Sequence, residues 1–524
     1  MVAHSLLLFL AFLLSTVLSF VSCRPDLVTE LNNAGVSTHG ADSQEYKEAS
    51  VSFNHRYKFQ PAAIVFPRNP DQVSSAVKIG AERGVKVVAR SGGHSYIANG
   101  LGGQSGSLVL DLSKMKSITY DSATHKAVVQ TGSRLGDVAL TLEGDGRGRG
   151  IPHGTCPSVG IGGHAAFGGF GHASRMWGLT LDAIDSLEVV LANGTITHAC
   201  RSSHPELFWA MRGAAPSFGI TTSITFNTHP IPSEAYVYHI AWSQGLTPTE
   251  LTRVVMALQT FVTSSESNIP PELSLYLSLG KSKEGRLYAE ITGGWYGSQD
   301  AFDELFDPFL RGLQAEDGDY VPLPEKRRFD GDGTYIRALK ANAYRESLDT
   351  TEPEPGKPFY AKSLTVPESE SLKERAVRAF TEYLADEGNS MGASEDLDWF
   401  ILFELFGCVN SRINAIPVGD TAFARRDTLW TIQLYVYSAL NADFSERGFG
   451  LLDGAVSKIV GNMPAGWEYG AYMNYVDDRL GGEGSADEEK HLRMYYGTHY
   501  PRLQALKREV DPGNVFEFPT SIRG

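Results

Sequence analysis

The chain has 524 residues, 42% hydrophobic and 20% charged, with a formal net charge of −15. That length exceeds one hydrophobic core and implies about two to three domains, while the composition excludes a disordered chain. The acidic balance excludes nucleic acid and an anionic membrane as partners, because both require Lys and Arg to neutralise phosphate.

Residues 1–23 read as a cleaved signal peptide. Leu6 to Leu14 is unbroken apolar sequence, too short to span a bilayer comfortably, and small residues follow from Ser19 to Cys23. A secreted, extracellular protein is expected. If Cys23 leaves with the leader, Cys156, Cys200 and Cys408 remain, an odd number without metal-ligand spacing. In an oxidising compartment a leftover cysteine needs a use.

Pro61 to Phe66 predicts a strand. Pro70 to Arg83 predicts an amphipathic helix, begun near Asn69 and ended by Gly84, and Val85 to Ala89 a second strand. This unit delivers the chain to Arg90–Tyr96 (RSGGHSY), where two glycines precede a histidine and the backbone amides of such a turn can cradle a pyrophosphate. Strands are expected at Leu108–Leu112 and Ala127–Thr131, and a helix from about Leu135 to Leu142. Leu187–Leu191 and Thr195–His198 flank Asn193-Gly194, a hairpin signal that is also part of an N-glycosylation sequon.

Ile151 to Gly171 (IPHGTCPSVGIGGHAAFGGFG) packs seven glycines, two histidines and Cys156 into 21 residues. Glycine at that density belongs where backbone approaches a ligand closely or turns with φ > 0. A large, flat, phosphate-bearing cofactor is the natural guess. The G-x-G-x-x-G pattern is matched only loosely, without the following helix and acidic residue of a Rossmann unit. His94, His153, His164 and His172 match no zinc spacing, and no G-x-S-x-G elbow supports a serine hydrolase.

From about Pro232 the glycine loops stop. Leu251, Val254, Val255, Leu258, Phe261 and Val262 form a helical stripe of ordinary core character. Strands at Leu273–Leu279 and Arg286–Ile291, a helix near Ala301–Leu313, a polar, Pro-rich passage to Pro358, a helix over Ser371–Ala385 and strands at Trp399–Phe406 and Leu429–Ser438 follow. They predict an antiparallel sheet covered by helices. Glu404 interrupts the apolar run WFILFELFG, and a charge there needs a partner or a purpose. Period-2 alternation leaves open the bland alternative that it faces solvent on an edge strand. Tyr475, in the late AYMNYVDD segment, is the matching candidate for a base acting on an alcohol.

The loops RSGGHSY and GTCPSVGIGGH with GGFG (Gly168–Gly171) resemble the FAD domain of the vanillyl-alcohol-oxidase superfamily. NYVDD and the closing DPGNVFEFPTSI are similar to its berberine-bridge-enzyme-like branch, and nearly the whole mature chain is similar to fungal glucooligosaccharide oxidases. The resemblance implies an α+β fold: a two-lobed FAD-binding (PCMH-type) domain in residues 24–231, an α+β substrate domain in 232–466, and a C-terminal segment, 467–524, returning to the first. It implies bicovalent FAD, His94 bonded to the flavin 8α-methyl and Cys156 to the 6-position. Arg90, Ser91, Gly92, Gly93, Ser95, Thr155, Val159, Gly160, Gly163, Gly168 and Gly171 would surround the cofactor. Tyr475 is implied as catalytic base and Glu404 as its assisting carboxylate, where the family carries Asp.

The implied reaction takes the anomeric hydrogen of a reducing-end oligosaccharide as hydride and gives the lactone, dioxygen becoming hydrogen peroxide. No nucleic acid, membrane or metal is implied, and a monomer is expected. Substrate contacts fall to Tyr96, Tyr276, Ser278, Phe400 and Leu402. Tyr276, Ser278 and Leu402 replace an Arg, a Glu and a Gln of the glucooligosaccharide enzyme. The replacements remove sugar-hydroxyl partners and add apolar surface, so the second reading is a tailoring oxidoreductase acting on a non-sugar alcohol or aromatic metabolite. A non-enzymatic flavin-bearing protein would require Tyr475 and Glu404 to be bystanders.

Overall fold

The computed structural model describes residues 24–282, 285–314, 321–390, 397–440, 442–480 and 488–524. The expected signal peptide lies outside the described residues. Among the described residues no helix is long and apolar enough to cross a membrane.

Strands β1 (Thr38–His39), β2 (Ala63–Val65), β3 (Val87–Arg90) and β4 (Leu108–Asp111) form a small sheet in the order β1-β2-β4-β3, with β2, β4 and β3 parallel. The helix Pro70–Glu82 is the crossover from β2 to β3. The Asn69 side chain accepts from the Gln72 amide at its start, and Gly84 turns the chain at φ +66° after its end. Val73, Ala76, Val77 and Gly80 are its buried face. β3 then runs straight into the Arg90–Tyr96 turn.

Next come β5 (Ile118–Asp121), β6 (Lys126–Gln130), the two-residue β7 (Arg149–Gly150), β8 (Ile184–Val190), β9 (Ile196–Cys200), β10 (Ile220–Asn227) and β11 (His229–Pro230). β7 pairs with β11; the others form an antiparallel sheet in the order β5-β6-β10-β8-β9. The hairpin at Asn193-Gly194 joins β8 to β9, with Gly194 at φ +78°.

The remaining strands are β12 (Ala235–Leu246), β13 (Tyr276–Lys281), β14 (Leu287–Trp295), β15 (Lys326–Gly333), β16 (Phe359–Pro367), β17 (Leu397–Leu405) and β18 (Thr428–Ser438). They form one antiparallel sheet of seven strands in the order β15-β12-β14-β13-β17-β18-β16. The helices Pro248–Thr263, Gln299–Gly312, Glu374–Tyr383 and Glu446–Val460 share a continuous core with one face of it, through Leu277, Ile401, Phe403, Ile432 and Leu434. Because side chains alternate along a strand, the opposite face presents Tyr276, Phe400, Leu402, Glu404 and Gln433 to the glycine loops. The chain is thus α+β, with a helix-covered antiparallel sheet.

The tail folds back onto the early strands. Lys507, wholly buried on the helix Tyr500–Val510, donates from Nζ to the Ser217 carbonyl (2.7 Å), the Phe516 carbonyl (2.9 Å) and Asp511 Oδ2 (2.7 Å). The Ile522 amide donates to Ser217 Oγ at 3.0 Å. Replacing this lysine strands three acceptors in an apolar setting. Lys507→Met is therefore expected to lower the unfolding free energy by about 3–5 kcal/mol, read by chemical denaturation, whereas exposed Lys458→Met is expected to cost under about 0.5 kcal/mol.

Candidate functional site

A cavity of about 420 Å³ lies between the glycine loops and the open face of the seven-stranded sheet. It is lined by the Arg90–Tyr96 turn, by Gly154, Thr155, Cys156, Val159, Gly160, Gly162 and Gly163, by Ile220, Thr221, Phe516 and Phe518, and by Tyr276, Phe400, Leu402, Glu404, Gln433 and Tyr475.

The loop wall exists because two glycines let the loops touch. A Cβ on Gly160 would overlap the Gly92 backbone nitrogen, and a Cβ on Gly92 would overlap that of Gly160. Ser91 Oγ fastens them, donating to the Thr131 carbonyl (2.5 Å) and accepting from the Gly162 amide (3.2 Å). Arg90 works from behind the turn: Nη1 donates to Asp111 Oδ2 (2.9 Å) and the Ala49 carbonyl (2.7 Å), and its guanidinium packs under Gly93, at φ +73°. Ser95 Oγ accepts from the Asn99 amide at 3.0 Å. A helix, Ile161–Ala166, does follow the G-x-G stretch, contrary to the sequence reading; only six residues long, four of them glycine or alanine, it carries too little periodicity to be read.

His94 stacks on Phe53, ring centroids 3.6 Å apart, and its Nε2 has no hydrogen-bond partner. Burial lowers its pKa to about 4, so the imidazole is neutral. The Cys156 sulfur opens onto the cavity; desolvation there, and secondarily the Glu354 carboxylate, push the thiol up to about 11. An unpartnered neutral imidazole, an open thiol and a backbone cradle that any Cβ would fill are the features a covalently held FAD requires. Thr155, Val159 and Gly163 also line the cavity.

Three expected site residues are not on the cavity wall. Gly168 packs under the Tyr472 ring, and Gly171 against the His153 carbonyl, where close approach explains the glycines without a ligand. Ser278 shares the sheet face of Tyr276 but stands one pleat further along β13, opposite Leu402.

Glu404 is not on an edge. β17 is flanked by β13 and β18, and Glu404 is only 3% exposed, opposite Tyr276 on one side and Thr431 on the other. Tyr475 donates to its Oε1 at 2.8 Å, while Oε2 is unpartnered. Burial lifts the Glu404 carboxyl to about 8, with the Tyr475 hydrogen bond opposing the shift. Burial, and then the neighbouring Glu404, hold the Tyr475 hydroxyl well above its ordinary value.

Tyr475 ends a single 3₁₀ turn, Met473–Tyr475, pinned to β16. Ser363 Oγ accepts from the Tyr472 amide (2.9 Å) and donates to the Tyr475 carbonyl (3.3 Å). Just beyond it, Lys362 Nζ donates to Asp477 Oδ2 at 2.6 Å in a buried ion pair. Tyr96 lies parallel to Tyr475, centroids 6.0 Å apart, and accepts from Gln433 Nε2 at 2.9 Å. Phe400 stacks on Tyr435 at 4.9 Å, and Tyr276 packs edge-on to Phe170.

The sequence reading missed Gln433, Phe53 and Tyr472. Gln433 had a signal, since it interrupts an apolar strand as Glu404 does. Phe53 had none, lying in a segment without periodicity.

A cofactor cradle facing a buried Tyr–carboxylate pair defines a flavin-dependent oxidoreductase. The FAD binding domain family matches residues 61–199, and the berberine and berberine-like family matches residues 471–523. Xylooligosaccharide oxidase from Thermothelomyces thermophilus is 34% identical over 498 residues, spanning 94% of this chain and 93% of that protein. An FAD-linked oxidoreductase from Metarhizium anisopliae is 31% identical, spanning 96% and 91%. The solved structure of glucooligosaccharide oxidase from Acremonium strictum, with its 6-S-cysteinyl, 8α-N1-histidyl FAD, superposes with a TM-score of 0.84 at 30% identity, over 95% of this chain and 99% of that one. The chain belongs to the berberine-bridge-enzyme-like family of FAD-dependent oxidoreductases.

Gly160→Ala is expected to force the loops apart and to leave more than about tenfold less flavin per purified chain. Flavin absorbance per mole of protein is the measurement, and a stoichiometric flavin content would contradict the cradle.

Proposed function

We propose that this chain is a secreted carbohydrate oxidase that converts the anomeric carbon of a reducing-end oligosaccharide to the lactone. Residues 24–231 with 467–524 form its cofactor half and 232–466 its substrate half, and the FAD is held bicovalently through His94 and Cys156. The observation that carries the reading is the 2.8 Å hydrogen bond from Tyr475 to buried Glu404, within the cavity that the flavin loops line. The oligosaccharide oxidases among the relatives support the choice of substrate class.

FAD, held by the His94 and Cys156 loops, would supply the hydride acceptor, with dioxygen as the final electron acceptor and hydrogen peroxide as its product. The protein residues handle the proton. Tyr475 alone is a poor base, because an adjacent carboxylate raises a phenol's affinity for its proton. Paired with Glu404 it is competent: Tyr475 accepts the proton of the anomeric hydroxyl as its own proton moves to Glu404 Oε1, so no free phenolate is needed. Phe400 and Tyr96 offer flat apolar faces for a pyranose ring, and Gln433 sets the tilt of Tyr96. The buried sheet face keeps bulk water from the pair.

A second reading, oxidation of a non-sugar alcohol or aromatic metabolite, is favoured by the apolar lining that Leu402, Tyr276 and the Phe400–Tyr435 stack give the substrate half. A peroxide assay across cello-, xylo-, malto- and chito-oligosaccharides separates the two. Turnover on at least one series is expected, and silence on all sinks the carbohydrate reading.

Tyr475→Phe is expected to lower kcat by about 10²-fold or more while the flavin spectrum persists. The relay needs Glu404 deprotonated, and its carboxyl sits at about 8. Activity is therefore expected to rise with pH through about 8 and to level off above it. Glu404→Gln should abolish that rising limb; a pH profile matching the unmutated enzyme's would remove Glu404 from the relay.

A further inference from the structure

The relay uses one oxygen of Glu404 and leaves the other unaccounted for. Tyr475 donates to Oε1 at 2.8 Å, and Oε2 is buried with no hydrogen-bond partner among the described residues. On β18, directly opposite Glu404 in the register of the sheet, stands Thr431. It is wholly buried, and its Oγ1 is likewise without a partner. Residues paired in this way on antiparallel strands share one face of the sheet, with Cβ atoms about 4.5–5.5 Å apart. A threonine hydroxyl carries a donor proton, and an ionised carboxylate oxygen can only accept. The two orphan atoms are therefore complementary, and at that separation rotation of the two side chains brings them within hydrogen-bond reach.

Thr431 stands between Trp430 and Ile432 on β18, which is flanked by β17 and β16. A wholly buried strand position suits valine or isoleucine; threonine keeps the β-branched shape and adds a hydroxyl whose burial without a partner is costly. Packing alone does not call for that hydroxyl. Its other cross-strand neighbour, Thr365 on β16, is neutral and makes no bond to it. The titratable groups that feel Glu404 are all phenols: Tyr475 on its turn, Tyr276 on β13, Tyr472 at the start of that turn, and Tyr96 at the end of the Arg90–Tyr96 loop. None of them is a cation, so hydrogen bonds are what steady the ionised carboxylate against burial. We propose that Thr431 is a positioning residue of the relay: its hydroxyl donates to Glu404 Oε2, favouring the ionised carboxylate and leaving Oε1 to face Tyr475.

The inference rests on the proton relay proposed above, in which Glu404 begins ionised and receives the Tyr475 proton at Oε1. Thr431 breaks and makes no covalent bond; it biases an equilibrium. Burial raises the proton affinity of Glu404, and the Tyr475 hydrogen bond opposes that rise. A second donor at Oε2 opposes it further, because a hydrogen bond given to the ionised form favours that form. Removing the donor therefore raises the proton affinity again. The rising limb of activity, which follows the ionised carboxylate, then moves to higher pH.

Thr431→Val keeps the branched shape and removes the donor, and Thr431→Ser keeps the donor. Two quantities are read on the flavin-loaded enzyme. One is the pH midpoint of the carboxyl infrared band that Glu404→Gln removes, which needs no substrate; the other is the kcat–pH profile on a substrate that the unmutated enzyme turns over. Thr431→Val is expected to move both midpoints up by about one unit, leaving kcat about tenfold lower near pH 7, with KM and the flavin spectrum unchanged. Thr431→Ser is expected to return both midpoints to those of the unmutated protein. A purely structural role would change unfolding stability and leave the midpoints in place, so a carboxyl band with an unmoved midpoint in Thr431→Val would overturn the proposal. A moved band beside an unmoved kcat profile would instead remove Glu404 from the relay, and this inference with it.

Discussion

The structure turns on one carboxylate kept where carboxylates do not belong. Glu404 stands in the interior of a seven-stranded sheet, where an isolated charge costs far more than a hydrogen bond returns. It is tolerated because burial shifts it toward the neutral form and because Tyr475 reaches it from 71 residues further along the chain. That reach depends on everything between: β18 beside it, β16 at the sheet edge, and Ser363 and Lys362 on β16 fixing the turn that ends in Tyr475. The same burial that makes the pair expensive makes it reactive, since a carboxyl near 8 is a better proton acceptor than one near its usual value.

Facing this pair is a construction of the opposite kind, made from absent side chains. Gly92 and Gly160 touch backbone to backbone, and Ser91 ties the two loops so that His94 and Cys156 face one cavity. The polar groups there are left open by design: an unpartnered imidazole nitrogen and a thiol. Each would be a fault in an ordinary core. Together they mark a surface meant to be completed by a ligand and then closed covalently.

Much of this was legible in the sequence, and the failures have physical causes. The crossover helix, with Asn69, Pro70 and Gly84 in place, and the Asn193-Gly194 hairpin were readable because caps and turns are local chemistry. Glu404 was noticed as an anomaly, but its direction was undecided, since alternation gives the period of a strand and not the identity of its neighbours. β12 escaped because it is covered on both faces and shows no clean alternation. β15, at the sheet edge, escaped because its charged residues, which guard an exposed edge, read as a polar turn. The resemblance of the glycine loops supplied the cofactor, but not the substrate.

The most direct test of the account is a crystal structure of the flavin-loaded enzyme with a lactone or sugar analogue in the cavity. The account predicts the anomeric oxygen within about 3 Å of the Tyr475 hydroxyl, with Glu404 on the far side of that hydroxyl and Phe400 or Tyr96 against the ring. A ligand whose oxidisable carbon faces the flavin with no contact to Tyr475 would contradict it.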